Sequence, residues 1–159
     1  MSYHKPETIT VDMIGNRKVR TVKMRPLCEI RTDEFYASDI YFACDTGEII
    51  GHNDFLQQQL EGDYLQVTIC DGDGGGKTID VHRLIASAFC PKTKERNDVH
   101  HVNGDKEDNR SINLMWVTKG EHSVLHSLMK KQPKEYKEMV KRIKKDNRLN
   151  GKVLWVDGG

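Results

Sequence analysis

Apolar positions along this chain change period repeatedly, and each change predicts an element. In "RKVRTVKMR" (Arg17 to Arg25), Val19, Val22 and Met24 alternate imperfectly with basic residues, as in a basic strand or extended arm. "EFYASDIYFACDTGEII" is aromatic and β-branched, and Asp45-Thr46-Gly47 punctuates it, which predicts a hairpin. "DYLQVTIC" and "KTIDVH" read as two strands joined by "DGDGGG", whose glycines supply the positive φ a wide turn needs. The period then lengthens. "VHRLIASAF" (Val81 to Phe89) puts Leu84, Ile85, Ala88 and Phe89 on one helical face, and Pro91 ends it. A short strand at Val99–Val102, a polar loop through Arg110 and a second apolar run "INLMWV" follow. Thr118 is an N-cap with Glu121 three positions on, a capping box that predicts a helix over 119–131. Leu114, Trp116, Val124 and Leu128 are the expected core of this region. Pro133 breaks the helix, and "KEYKEMVKRIKKD" places Tyr136, Met139, Val140 and Ile143 at i, i+3, i+4 and i+7. That spacing predicts an amphipathic helix with a basic outer face. "KVLWV" reads as an edge strand.

These elements define an α+β protein in four parts. A basic N-terminal arm covers 1–28, a β-hairpin-rich segment 29–80, a strand–strand–helix core 81–131, and a basic helix with a tail 132–159. The 159 residues, 36% hydrophobic and 31% charged, suffice for one domain with a real core or a small domain with appendages. No apolar run approaches the roughly 20 residues that span a bilayer, and the N-terminus lacks a signal-like stretch. The expectation is a cytoplasmic protein with no membrane partner. Cys28, Cys44, Cys70 and Cys90 are widely spaced without a CxxC pair, which fits reduced, buried thiols. The glycine loop lacks the GK[ST] of a phosphate loop. It is no calcium loop either, since Gly75 and His82 stand at ligand positions.

A net charge of +1 conceals segregation. Residues 1–28 hold six bases against two acids, residues 29–80 two bases against twelve acids, and residues 130–148 nine bases against three acids. Basic ends around an acidic middle suit a polyanion gripped from particular faces.

Four of the seven histidines fall within Asn97–His126. His122 and His126 lie four apart, so both imidazoles share one helical face and can bite one ion. His100, at the end of the facing strand, can supply a third ligand. His101 is its neighbour in an extended segment and must point the other way, which frees it for acid–base work. Three protein ligands leave open positions for water and a phosphate oxygen, the mark of a catalytic ion. Asn113 lies 12 residues after His101, just before the second strand, and a side-chain or backbone acceptor from this loop can fix the tautomer of His101; Asn109 and Asp105 read as residues that tie the loop down.

The stretches "VHRLIASAF", "VHHVNGDKEDNRSINLMWVT" and "EHSVLH" resemble the HNH endonucleases, also called ββα-metal or His-Me finger nucleases, and look most like their phage and intron-encoded homing-type group. The resemblance covers about residues 33–130 and is strongest over 81–126. It implies a ββα-metal nuclease core at 81–131, with His100 as a metal ligand and His101 as the general base. It further implies that Asn113 orients that base, and that His122 and His126 are ligands from the helix. One departure is His100, where phage relatives usually carry Asp. The implied cofactor is one divalent ion, Zn, Ni, Mg or Mn, and three imidazoles favour Zn or Ni over Mg.

The implied reaction is hydrolysis of a DNA phosphodiester by a phage or mobile-element enzyme, in the host cytoplasm. Arg83 and Arg110 are candidates to clamp the phosphate. Arg17 and Arg20 of the basic arm and Lys141, Arg142 and Lys145 of the last helix are candidate grips on the duplex. The acidic 29–80 surface faces away from DNA or meets a second copy or a partner protein. Two other readings stand beside this one: a non-catalytic zinc-stapled nucleic-acid-binding module, and a nuclease directed at RNA.

Overall fold

Antiparallel sheet is what the alternating first half of the chain forms in the computed structural model, which describes residues 7–11, 20–26, 41–51, 54–70 and 76–154. β1 (Glu7–Val11) pairs with β2 (Arg20–Pro26), β2 with β3 (Tyr41–Cys44), β3 with β4 (Ile49–Gly51), and β4 with β5 (Asp54–Phe55). Arg20–Pro26 therefore takes the strand alternative. With β1 on one side and β3 on the other, its backbone groups are paired in a ladder, and residues 1–28 and 29–80 contribute to a common sheet. Arg17, the side chain of Arg20, residues 27–40 and the 71–75 turn lie outside the described residues.

A second sheet comprises β6 (Gln59–Glu61), β7 (Tyr64–Cys70) and β8 (Gly76–Asp80). Its last residue, Asp80, leads directly into α1 (Val81–Phe89). Val67, Ile69 and Ile79 from this sheet, Tyr41, Ala43 and Ile49 from the first, and Leu84, Ile85 and Ala88 from α1 form one buried cluster. Val99, Leu114 and Trp116 of the next hairpin join it, and Trp116 Nε1 donates to the Ala86 carbonyl at 3.2 Å. The β-rich segment and the histidine region thus share a core.

β9 (Asp98–His101) and β10 (Leu114–Val117) pair antiparallel, with His101 opposite Leu114 and His100 opposite Met115. A short 3-10 turn at Ser111–Asn113 feeds β10. α2 (Lys119–Lys131) has the span its caps predict. Glu121 N donates to Thr118 Oγ1 at 3.0 Å, and Thr118 N donates to Glu121 Oε1 at 2.9 Å. The inner face of α2 is rotated from the expected one. Leu125 is fully buried, Leu128 is partly buried, and Val124 is 48% exposed. Neighbouring helical positions stand about 100° apart, so only one of Val124 and Leu125 can face Met115 and Val117. Pro133 opens α3 (Pro133–Asn150), where its missing N–H costs nothing. Tyr136, Val140 and Ile143 of α3 close a second apolar cluster with Met115, Val117 and Leu125.

Arg96 clasps these parts. It donates to both oxygens of Glu121 at 2.9 Å and also reaches Asp146 and Asn147 of α3. Asn147 in turn donates to the Trp116 carbonyl at 3.0 Å. Of the expected C-terminal edge strand, Lys152 forms a single antiparallel bridge to Lys92, while Trp155 and Val156 lie outside the described residues.

Candidate active site

Strand alternation sends His100 and His101 to opposite faces of β9. His100, fully buried, meets α2: its ring centroid lies 5.3 Å from that of His122 and 5.4 Å from that of His126. One nitrogen from each of the three histidines lies within 4.8 Å of the others. A tetrahedral ion with bonds of about 2.0–2.1 Å holds its ligand nitrogens about 3.3 Å apart, so small rotamer adjustments of the two helix residues close the set. Asp98 Oδ2, from the start of β9, stands 3.8 Å from His122 Nδ1, where a carboxylate can orient that ring.

Two hydrogen bonds fix the tautomer of His100. Tyr136 donates its hydroxyl to the Val102 carbonyl at 2.6 Å, and the phenolic oxygen lies 2.6 Å from His100 Nε2. The hydroxyl proton is spent on a carbonyl, so His100 must donate from Nε2, which leaves the lone pair on Nδ1. Nδ1 is buried and has no hydrogen-bond partner among the described residues. An orphaned buried imidazole nitrogen beside two further imidazoles is a donor set that fits a divalent ion. Burial, then the neighbouring His122, His126 and His101, pushes the His100 pKa down to about 3. Burial also lowers His122 and His126, so the three rings are neutral and able to ligate.

His101 belongs to a separate aromatic group. Its ring lies 5.3 Å from that of His82 and stacks at 6.1 Å on Tyr64. Its Nε2 is 2.8 Å from Asn109 Oδ1. An amide oxygen only accepts, so Nε2 carries the proton and Nδ1 keeps the basic lone pair. Burial lowers the His101 pKa, opposed by the Asn109 bond and by Asp105 and Asp108.

Asn113 spends its side-chain hydrogen bonds within the loop. Its Nδ2 donates to Asn103 Oδ1 and to the Asp108 carbonyl, both at 2.9 Å, and its Oδ1 accepts from Asn103 N at 2.9 Å. It laces the two ends of the 103–112 loop, and the loop presents Asn109 to His101. Asn109, and not Asn113, thus makes the hydrogen bond to His101, because Asn113 at the foot of β10 sits across from Asn103 and its polar atoms are consumed there. Gly47, at φ +94°, packs against this loop so closely that a Cβ would meet the Asn109 carbonyl carbon at 2.9 Å. Ser111 N also donates to the Asp45 carbonyl at 2.8 Å.

Both candidate phosphate clamps have partners of their own. Arg83 donates to the Asn97 carbonyl at 3.0 Å and lies over Trp116, and Arg110 makes a two-pronged contact with Asp108 at 2.8 and 2.7 Å. That contact holds the Asp108 carboxyl down to about 2. Lys141, Arg142 and Lys145 are exposed on α3. Sequence reasoning missed Tyr136, which helical periodicity counts as one more apolar position.

Two antiparallel strands of which the first ends in His100 and His101, a loop that sets Asn109 against His101 and a helix that bears His122 and His126 resemble the ββα arrangement of the HNH endonucleases. The comparisons with known proteins agree. Residues 80–124 match the family model described as HNH endonuclease. The chain is 41% identical over 81 residues to DNA endonuclease I-HmuI of Bacillus phage SP01, a match covering 49% of this chain and 46% of the relative. It is 34% identical over 96 residues to the uncharacterized HNH endonuclease L247 of Acanthamoeba polyphaga mimivirus, covering 56% of this chain and 24% of the relative. A solved structure of DNA binding and cleavage by the HNH homing endonuclease I-HmuI superposes with a TM-score of 0.50 at 32% identity, covering 66% of this chain and 62% of that one. The chain spans less than half the length of these two curated relatives. Among the described residues no helix is long and apolar enough to cross a membrane.

Proposed function

We propose that this chain is a metal-dependent DNA endonuclease of phage or mobile-element origin, working in the host cytoplasm. Its matches to a Bacillus phage and a mimivirus protein support that origin. The observation that carries the activity is the division of labour across β9: three neutral imidazoles converge on one face, while on the other His101 has its Nε2 committed to Asn109 and its Nδ1 basic.

His100, His122 and His126 would hold one divalent ion, and their all-imidazole chemistry favours Zn or Ni over Mg. When bound, the ion supplies Lewis-acid stabilisation of charge on the phosphoryl and leaving oxygens. His101 Nδ1 takes the proton from the attacking water. The bond from Nε2 to Asn109 holds the ring in position and steadies the imidazolium that forms. The depressed pKa keeps His101 unprotonated near pH 7, ready to accept. Tyr136 holds His100 in its ligating tautomer throughout. The duplex is gripped without base specificity by Lys141, Arg142 and Lys145, which α3 turns outward.

Incubation with supercoiled, linear and single-stranded DNA across a metal series tests this reading, with an RNA competitor as a further arm. Metal-dependent conversion of supercoiled plasmid is the expected result. Plasmid left intact by folded, metal-loaded protein would return the chain to a non-catalytic zinc-stapled binding module. Preferential loss of the RNA would redirect the enzyme to that substrate.

A further inference from the structure

We propose that Lys106 is a phosphate-binding residue of this site, held at rest by Asp63 over the Tyr64 ring and transferred to a backbone phosphate oxygen when a strand lies against His101. This rests on the nuclease reading for its ligand, a nucleic-acid phosphodiester, and on geometry for its place.

Lys106 projects from the loop between β9 and β10. Side chains pin the backbone on both sides of it. Asp105 N donates to Asn103 Oδ1 at 2.8 Å, Glu107 N to Asp105 Oδ1 at 3.0 Å, and Asn103 Nδ2 to Asp108 Oδ2 at 2.8 Å. The side chain therefore leaves from a fixed base. Its Nζ lies 5.5 Å over the Tyr64 ring, and the same ring stacks on His101 at 6.1 Å. Ammonium, phenol and base imidazole form one continuous group. Beside it lies an open cleft of about 240 Å³, lined by Leu60, Gly62, Asp63 and the 104–107 stretch.

Arg83 and Arg110 are engaged with Asn97 and Asp108. Lys106 is held more loosely. Among the described residues its one ion pair, to Asp63 Oδ2 at 3.1 Å, joins side chains 38% and 72% exposed. Such a pair is weak, so a phosphate bearing a full charge competes for the ammonium. A lysine serves here as a mobile point charge, which suits a phosphate better than it suits a fixed fork of hydrogen bonds.

The proposal makes opposite predictions for the two partners. Fluorescence anisotropy of a short duplex oligonucleotide, with chelator present and over a salt series, gives affinity and salt slope for the wild type, Lys106→Met, Lys106→Arg and Asp63→Asn. Lys106→Met should bind several-fold more weakly, with a salt slope shallower by about 0.9, the value of one phosphate contact. Lys106→Arg should keep the slope. Asp63→Asn should bind several-fold tighter at low salt, since it frees the ammonium and removes a repelling carboxylate. The conservative variant and Asp63→Asn carry the test if Lys106→Met loses its melting transition. An unchanged slope in Lys106→Met, or weaker binding by Asp63→Asn, overturns the proposal. Plasmid cleavage by the same proteins separates the two layers. Wild type that cuts while Lys106→Met binds and cuts equally well sinks the lysine and spares the nuclease. Altered slopes with no cutting under any metal do the reverse.

Discussion

His100 and Tyr136, 36 residues apart in sequence, share a hydrogen bond of 2.6 Å between Nε2 and the phenolic oxygen. The phenol's own proton goes to the Val102 carbonyl. One hydroxyl on α3 therefore decides which nitrogen of a β9 histidine is free to bind a metal. Such outer partners are worth roughly 10–100-fold in metal affinity. Tyr136→Phe keeps the ring in the apolar cluster but strands a donor and a carbonyl, which should also cost about 1–3 kcal/mol. Competitive metal titration with a chromophoric chelator, set beside chemical denaturation, measures both. Metal affinity equal to wild type would show that His100 does not need Tyr136 to select its tautomer.

Acid stability of the metal-free protein follows from the same burial. Above pH 6.5 His100 is neutral both folded and unfolded, and pH has no hold on it. Between about 6.5 and 3 the unfolded chain takes up a proton that the folded His100 refuses, so stability falls as pH falls, by up to about 1.4 kcal/mol per pH unit for this group. Asp108 adds a later loss. Its carboxyl is held down to about 2 by Arg110, so its contribution is complete above the ordinary carboxylate range and disappears as pH drops through about 2. Urea denaturation with chelator at stepped pH should show decline beginning near 6.5. The first stage should shrink in His100→Leu.

Much of this architecture was legible in the sequence, and the exceptions have physical causes. Thr118 and Glu121 specify the start of α2 because a capping box is a local hydrogen-bond pattern. His122 and His126 share a face because helix geometry requires it, and His100 and His101 diverge because strand geometry does. The choice between Val124 and Leu125 turned on helix phase, which α3 sets by packing Tyr136, Val140 and Ile143 alongside Leu125. The choice between Asn109 and Asn113 turned on the path of a loop that is held partly by Asn103 and partly by the β3–β4 turn. Spacing along the chain carries neither.

That β3–β4 turn yields a prediction at a distance from the chemistry. Gly47 has a positive φ, and its Cα faces the Asn109 backbone. Gly47→Ala introduces backbone strain and a methyl group against the residue that holds His101. The expected outcome is a loss of about 1–3 kcal/mol in stability together with slower cleavage, since a displaced base loses its alignment. Thermal melts and plasmid cleavage should show both effects in Gly47→Ala, and destabilisation with an unchanged cleavage rate of the folded protein would detach the turn from the site.

The assignment of base and supports is tested by four substitutions measured side by side. His101→Ala removes the proton acceptor and should slow cleavage roughly 10²–10⁴-fold, the usual worth of a general base, with metal and DNA affinity nearly intact. His100→Ala should weaken metal binding instead, and its activity should partly return at high metal concentration. Asn109→Ala removes the acceptor for His101 Nε2. It should slow cleavage less than His101→Ala and change the pH dependence of the rate, because the imidazole gains a choice of tautomer and loses its support for the protonated form. Asn113→Ala should act through stability: it abolishes three hydrogen bonds that close the loop, so its melting temperature should drop while protein that remains folded keeps the wild-type pH profile. A pH profile altered by Asn113→Ala and untouched by Asn109→Ala would restore the orienting role to Asn113. Loss of metal by His101→Ala with retention by His100→Ala would exchange the two faces of β9.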